Sequence, residues 1–117
     1  LDVAADGELH VVEGELNAWT LASYGHHALG LPGAGPGAGW LAGWVREVAR
    51  AARLVAWYDD DEAGAKGRSA LAAAVAAELG EGWLRRHARW CTPPADLNDL
   101  HRAGQLGALL EAAPWRG

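Results

Sequence analysis

The sequence has no methionine and a single cysteine, Cys91, among its 117 residues. One thiol can build neither a disulfide framework nor a cysteine-rich zinc module. We expect Cys91 to be a buried or partly buried thiol in a reducing cytoplasm. Because the chain lacks methionine and opens on Leu1 close to a predicted strand, we expect a fragment excised from a longer protein, whose neighbouring segments carry part of the function.

Long apolar runs and a broad basic surface are missing as well. No stretch reaches the roughly eighteen apolar residues of a membrane span, and the start, LDVAADGELH, has no signal-peptide pattern. Ten Lys and Arg against fifteen Asp and Glu give a net charge of −5, which argues against binding nucleic acid unaided through phosphate contacts. We expect a soluble, cytoplasmic protein with no membrane partner.

The pattern of apolar residues predicts alternating strands and helices. Four strands are predicted, at residues 9–12, 28–31, 54–57 and 87–91. Helices are predicted at residues 16–23, from residue 40 onward, and at 63–79, 97–103 and 105–112. Residues 32–39 hold too much glycine and proline for regular structure. The alternation predicts one α/β domain over residues 1–117, with about four mostly parallel strands flanked by helices.

Acidic residues follow two of the predicted strands. Glu13 ends the first strand, and Asp59, Asp60 and Asp61 follow the third. The carboxyl ends of parallel strands meet at one edge of a sheet, so Glu13, Asp59 and Asp61 are expected to converge there. Oxygen ligands of this kind suit magnesium. Alternatively, the acidic run is a solvated turn that caps the following helix, and Asp60 is expected to point away from the other acids.

Three segments together resemble the Toprim family, which is shared by primases, topoisomerases and related nucleases. VVEGELNAW is similar to the family's strand ending in Glu-Gly, AWYDDDEAG to its Asp-x-Asp motif, and PADLNDL to the later acidic motif of primases. The resemblance spans residues 9–110 and implies a compact Toprim-like fold. The LPGAG and DLNDL segments resemble the primase or primase-helicase branch of phages and mobile elements.

The resemblance implies a DNA primase domain that makes RNA primers. Glu13, Asp59 and Asp61 would be the catalytic, metal-binding acids, Glu13 doubling as general acid or base, and Asp96 would be a further metal-site or supporting acid. The implied cofactor is Mg²⁺, with Mn²⁺ as a substitute. The implied partners are a single-stranded DNA template, nucleoside triphosphates, and a neighbouring helicase or zinc-binding module.

Two asparagines depart from the pattern of cellular primases. Asn17 and Asn98 stand where those proteins often carry aspartate, and an amide oxygen is a weaker ligand that brings no charge. A second or third metal ion is therefore in doubt. Glu15 either compensates in part or is an ordinary surface residue.

Basic residues near the acids are candidates for phosphate or nucleotide binding. Lys66 and Arg68 lie at the start of the helix after the acidic run, where free amide groups also favour anions. Ordinary surface charge is the alternative for both. The arginines of the amphipathic segment that begins at residue 40 are expected to form a solvated helix face, namely Arg46, Arg50 and Arg53. Trp57 and Trp90, in predicted strands, are expected to be core residues.

Three other functions remain open from the sequence. A Toprim nuclease would use the same acids with water as the nucleophile. A non-catalytic scaffold or binding module would retain only the fold, and Asn17 and Asn98 favour it. A receiver-like phosphoacceptor is disfavoured by the Asp-x-Asp-x-Ala-Gly arrangement and by the lack of a matching strand that carries lysine.

Overall fold

The computed structural model describes residues 7–31 and 53–116. Four strands form one sheet: β1 (Glu8–Glu13), β2 (Ala28–Leu31), β3 (Arg53–Trp57) and β4 (Ala88–Cys91). Their order is β2-β1-β3-β4, and each neighbouring pair is parallel. The predicted α/β fold with a parallel sheet is thereby confirmed, and the topology is consistent with a Toprim-like fold.

Helices cover both faces of the sheet. They are α1 (Glu15–Ser23), α2 (Glu62–Leu79), α3 (Glu81–His87), α4 (Leu97–Arg102) and α5 (Leu106–Ala112), followed by a 3₁₀ turn at Pro114–Arg116. Among the described residues, no helix has both the length and the apolar character needed to cross a membrane.

Two details differ from the sequence prediction. Helix α3 is absent from the sequence prediction. Gly80, at φ 92°, ends α2. Its carbonyl oxygen also accepts a hydrogen bond from the Leu84 backbone amide at 3.1 Å, so α3 begins directly after it. The sequence pattern places Arg53 on a helix face, but Arg53 is the first residue of β3. Its Nη1 atom lies 3.7 Å from Oε2 of Glu8. The rest of the predicted helix from residue 40 lies outside the described residues, as do Arg46, Arg50 and the loop at 32–39.

The central strands β1 and β3 are buried on both faces, as their uninterrupted apolar runs predict. On one face, strand residues pack with α2: Leu9, Val11, Leu54 and Ala56 with Leu71 and Val75. On the other face, strand residues pack with α1, α4 and α5: Val12, Val55, Trp57 and Cys91 with Ala18, Leu21, Leu97, Leu100, Leu106 and Leu110. Burying each large aliphatic side chain contributes about 1.5–3 kcal/mol, so both layers are needed to hold the sheet.

Aromatic rings fill the core on the α1 side of the sheet. The Trp57 indole N–H donates to Nδ1 of buried His10 at 2.9 Å, which makes that nitrogen an acceptor. Trp115 packs edge-on against both rings, and its indole N–H donates to Glu8 at 3.0 Å. The prediction that Trp57 is a core residue is confirmed, and Cys91 is buried as expected.

Glycines allow the helices to approach the carboxyl edge of the sheet. A Cβ on Gly30 would lie 2.5 Å from the Gly14 carbonyl oxygen, so β2 and the start of α1 touch through backbone alone. A Cβ on Gly64 would overlap the Asp59 carbonyl oxygen, and one on Gly67 would lie 2.6 Å from the Tyr58 ring. The first turns of α2 therefore sit directly on the end of β3.

The close approach at Gly64 predicts the outcome of an alanine substitution. Gly64→Ala should lower the free energy of unfolding by about 1–3 kcal/mol or more, because the methyl group must displace the Asp59 backbone. Gly107→Ala is the matched control in α5, where the nearest atom, on Tyr24, is 3.7 Å away. Better helix propensity should leave the control as stable as the wild type, or more stable by up to about 1 kcal/mol. Urea denaturation measures both; equal stabilities for the two variants would contradict the contact.

Candidate functional site

The acidic residues gather where the strands end. A cleft of about 110 Å³ lies at the carboxyl edge and is lined by Val12, Glu13, Asn17, Trp57, Asp59, Pro93, Asp96 and Leu97. We call it the acidic cleft. Three of its acids come from three different segments: the end of β1, the turn after β3 and the N-terminus of α4. The structure therefore brings together Glu13, Asp59 and Asp96.

The carboxylates of the acidic cleft repel one another. Burial raises the pKa of Glu13 above its ordinary value, and the charges of Asp59 and Asp61 raise it further. The pKa of Asp59 is raised by burial and then by Asp61 and Asp96. Among the described residues, none donates a hydrogen bond to the side chain of Glu13 or Asp59. Their negative charge is thus uncompensated by the described protein, which is the situation that a bound cation relieves.

Asp61 and Asp96 also cap helices. Asp61 Oδ1 accepts a hydrogen bond from the Gly64 amide at 2.6 Å, at the start of α2. Asp96 Oδ2 accepts from the Asn98 and Asp99 amides at 3.1 and 3.3 Å, at the start of α4. Each cap contributes about 1 kcal/mol. The capping alternative for the acidic run therefore applies to Asp61, while Glu13 and Asp59 have no comparable contact within the described residues.

Asn17 and Asn98 join α1 to α4. The Asn17 side-chain NH₂ donates to the Glu13 carbonyl oxygen at 3.2 Å and to Asp96 Oδ1 at 3.0 Å. The Asn17 side-chain oxygen accepts from the Asn98 backbone amide at 3.1 Å. Asn98 Oδ1 accepts from the Thr20 hydroxyl at 3.3 Å. An aspartate at position 17 could not make the two donations. The sequence does not reveal this role, because Asp96 and Asn98, the partners of Asn17 in α4, lie about eighty positions away.

The two predicted phosphate-binding residues point in different directions. Lys66 is 72% exposed and forms an ion pair with Glu62 at 3.9 Å on the surface of α2. Arg68 lines a second cleft of about 120 Å³, together with Asp59, Asp60 and Asp61, and its guanidinium lies 5.1 Å above the Trp90 ring. Trp90 is half-buried against the α2 side of the core. Of this pair, only Arg68 is placed beside the acidic residues.

The carboxylate oxygens of the acidic cleft are of the type that magnesium binds. Within residues 7–31 and 53–116, no three His, Cys, Asp or Glu side chains form a group able to surround a metal ion. Magnesium is commonly held by one or two carboxylates, with waters and substrate phosphates as its other ligands. Glu13 and Asp59 supply such a pair, and Asp61 adds charge nearby.

Comparison with protein-family models, with curated proteins and with solved structures found no match for this chain. The Toprim resemblance therefore rests on the motifs alone. Any function must be argued from the geometry and charge of the site.

The raised pKa values predict how stability depends on pH. In the folded chain Glu13 and Asp59 hold their protons to higher pH than in the unfolded chain, so stability falls as pH rises through the raised values. Asp59→Asn removes one repelling charge and should raise Tm near neutral pH. The gain should shrink as pH falls toward 3.8, the ordinary pKa of aspartate. Asp60→Asn, with the same charge change, should give a smaller gain; identical melting curves for the two variants at every pH would contradict the assignment.

The asparagine contacts predict unequal effects of two aspartate substitutions. Asn17→Asp replaces the amide that donates to Asp96 by a second carboxylate and should cost about 1–3 kcal/mol at neutral pH. Asn98→Asp keeps an oxygen that can accept from Thr20 and places charge at a helix N-terminus, so it should cost less. Urea denaturation compares the two. An Asn17→Asp variant as stable as Asn98→Asp would contradict a stabilising role for the Asn17 hydrogen bonds.

Proposed function

We propose that this chain is the catalytic domain of a magnesium-dependent enzyme that transfers phosphoryl or nucleotidyl groups on nucleic acid, namely a Toprim-type DNA primase. The observation that carries the proposal is the convergence of Glu13 and Asp59 at the carboxyl edge, with raised pKa values and no hydrogen-bond donor among the described residues. These acids also belong to the motifs that resemble the Toprim family.

Each residue of the acidic cleft has a distinct task under this proposal. Glu13 and Asp59 would hold the ion, with Asp61 increasing the local negative charge. A bound magnesium ion supplies charge stabilisation for the oxygens of the attacked phosphate. Glu13 would also act as general acid or base for the attacking hydroxyl, the role that the Toprim resemblance implies for it. Asn17 and Asp96 hold the two sides of the cleft in place.

A non-catalytic scaffold is the second candidate. It is favoured by Asn17 and Asn98, which stand where cellular primases often have acids and which make structural hydrogen bonds between α1 and α4. A scaffold has no need for the uncompensated charge of Glu13 and Asp59. Metal binding therefore separates the two candidates.

Magnesium should stabilise the chain through the acidic cleft. Since the ion binds the folded state alone, saturating Mg²⁺ should raise Tm, by an amount equivalent to about 2.7 kcal/mol at a hundred times Kd. Asp59→Asn should remove most of this response although it raises Tm without metal, whereas Asp60→Asn should keep the response. Thermal melts and titration calorimetry measure both effects. An unmoved Tm, with no ion bound in calorimetry, would reject the metal site and favour the scaffold.

A product assay then identifies the reaction. The chain is incubated with single-stranded template, nucleoside triphosphates and Mn²⁺. Primer synthesis that disappears in Asp59→Asn supports the primase proposal. Template cleavage without nucleoside triphosphates would assign the same acids to a nuclease instead.

A further inference from the structure

A groove runs along β4, the strand at one edge of the sheet. Its volume is about 410 Å³, and its lining residues are Glu81, Leu84, Arg85, Ala88 and Trp90. Trp90 also lines the second cleft, which contains Arg68 and the three consecutive aspartates. The two concavities therefore share one wall and lead from α3 toward Asp59. We call the surface formed by Arg68, Glu81, Leu84, Arg85, Ala88 and Trp90 the β4 groove.

The β4 groove combines two cations, one carboxylate and flat or apolar surface. The Arg68 guanidinium lies 5.1 Å above the indole of Trp90, and Arg85 lines the groove together with Trp90. Among the described residues, neither arginine has an ion-pair partner. Leu84 and Ala88 add apolar lining. The groove thus sets two cations beside a half-buried tryptophan, against the single carboxylate of Glu81.

We propose that the β4 groove binds single-stranded DNA and directs it toward the acidic cleft, an inference that rests on the proposed function for the purpose of that path. Bases stack on tryptophan rings and on guanidinium planes, while arginines neutralise phosphates. Arg85 can contact a phosphate, and the Arg68–Trp90 pair offers both a positive charge and a flat surface for a base. The volume falls within the roughly 300–1,000 Å³ typical of small-ligand pockets, so the groove holds one or two nucleotides.

The chemistry of the groove favours nucleic acid over an acidic peptide. A peptide carboxylate would use the charge of the arginines but would make no use of the planar surface that the Arg68–Trp90 pair presents. A nucleotide strand uses both, because each phosphate is accompanied by a base. The path also ends at Asp59, which lines both the second cleft and the acidic cleft, where a phosphodiester is the proposed reactant.

Binding of a labelled thymidine oligonucleotide to the whole chain tests the proposal. Fluorescence anisotropy is recorded at low salt with EDTA, so the result does not depend on any metal. Arg68→Gln and Arg85→Gln should each lower affinity and reduce the salt slope by about 0.7 per lost phosphate contact. Trp90→Leu, which keeps an apolar side chain, should weaken binding by about fivefold or more, and Trp90→Phe should keep part of the affinity.

Two matched controls lie on the opposite face of the sheet. Arg102→Gln in α4 makes the same charge change, and Trp19→Leu in α1 removes a tryptophan that is 70% exposed. Both should bind the oligonucleotide as the wild type does. Thermal melts confirm that each variant is folded, and the exposed Arg68 and Arg85 sites keep the test valid if Trp90→Leu does not fold.

Several outcomes would overturn the proposal. Equal losses of affinity in Arg102→Gln and Arg68→Gln, or unchanged affinity in all groove variants, would show that the groove is not the binding site. Tighter binding of an RNA oligomer, or displacement of the DNA by polyglutamate at equal charge, would show that single-stranded DNA is not the preferred ligand. The magnesium response of Tm is a separate measurement. Its absence would reject the metal site, while groove-dependent binding in EDTA would still stand.

Discussion

The repulsion between Glu13 and Asp59 is the constraint around which this carboxyl edge is organised. Parallel pairing of β1 with β3 ends both strands at the same edge, so the carboxylates that follow them are forced together. Burial and mutual repulsion raise the pKa of both groups, which means that their ionised forms oppose folding. The surrounding contacts offset this cost: Gly64 lets α2 rest on the Asp59 backbone, and Asn17 ties the end of β1 to α4.

Helix caps and charge are combined in two of the same side chains. Asp61 and Asp96 each satisfy amide groups at a helix start, and each also raises the pKa of an acid that makes no such bond. The acidic run is thus both a turn and a source of negative potential. The two capping interactions fix the positions of the Asp61 and Asp96 carboxylates, and thereby the location of their negative charge.

Local patterns predicted most of the fold, whereas contacts between distant segments were beyond the sequence. The apolar run that ends at Trp57 indicated a doubly buried strand because it is short, uninterrupted and followed at once by turn residues. Helix α3 is short and follows α2 after a single glycine. It is therefore too short to show a helical period of apolar residues of its own in the sequence. The bracing role of Asn17 depends on a partner in another helix. The divergence of Lys66 and Arg68 was predictable, since residues two apart on a helix face different directions.

Asp59 connects two surfaces of opposite character. It lines the acidic cleft together with Glu13 and also the second cleft that contains Arg68. An anionic strand held by Arg68 would approach the carboxylates and be repelled by them unless a cation neutralised the cleft. Under the proposed function, metal and nucleic acid would therefore bind with positive coupling, each lowering the electrostatic cost of the other. The negative charge of the cleft would then ensure that nucleic acid reaches the reactive edge only when the ion is in place.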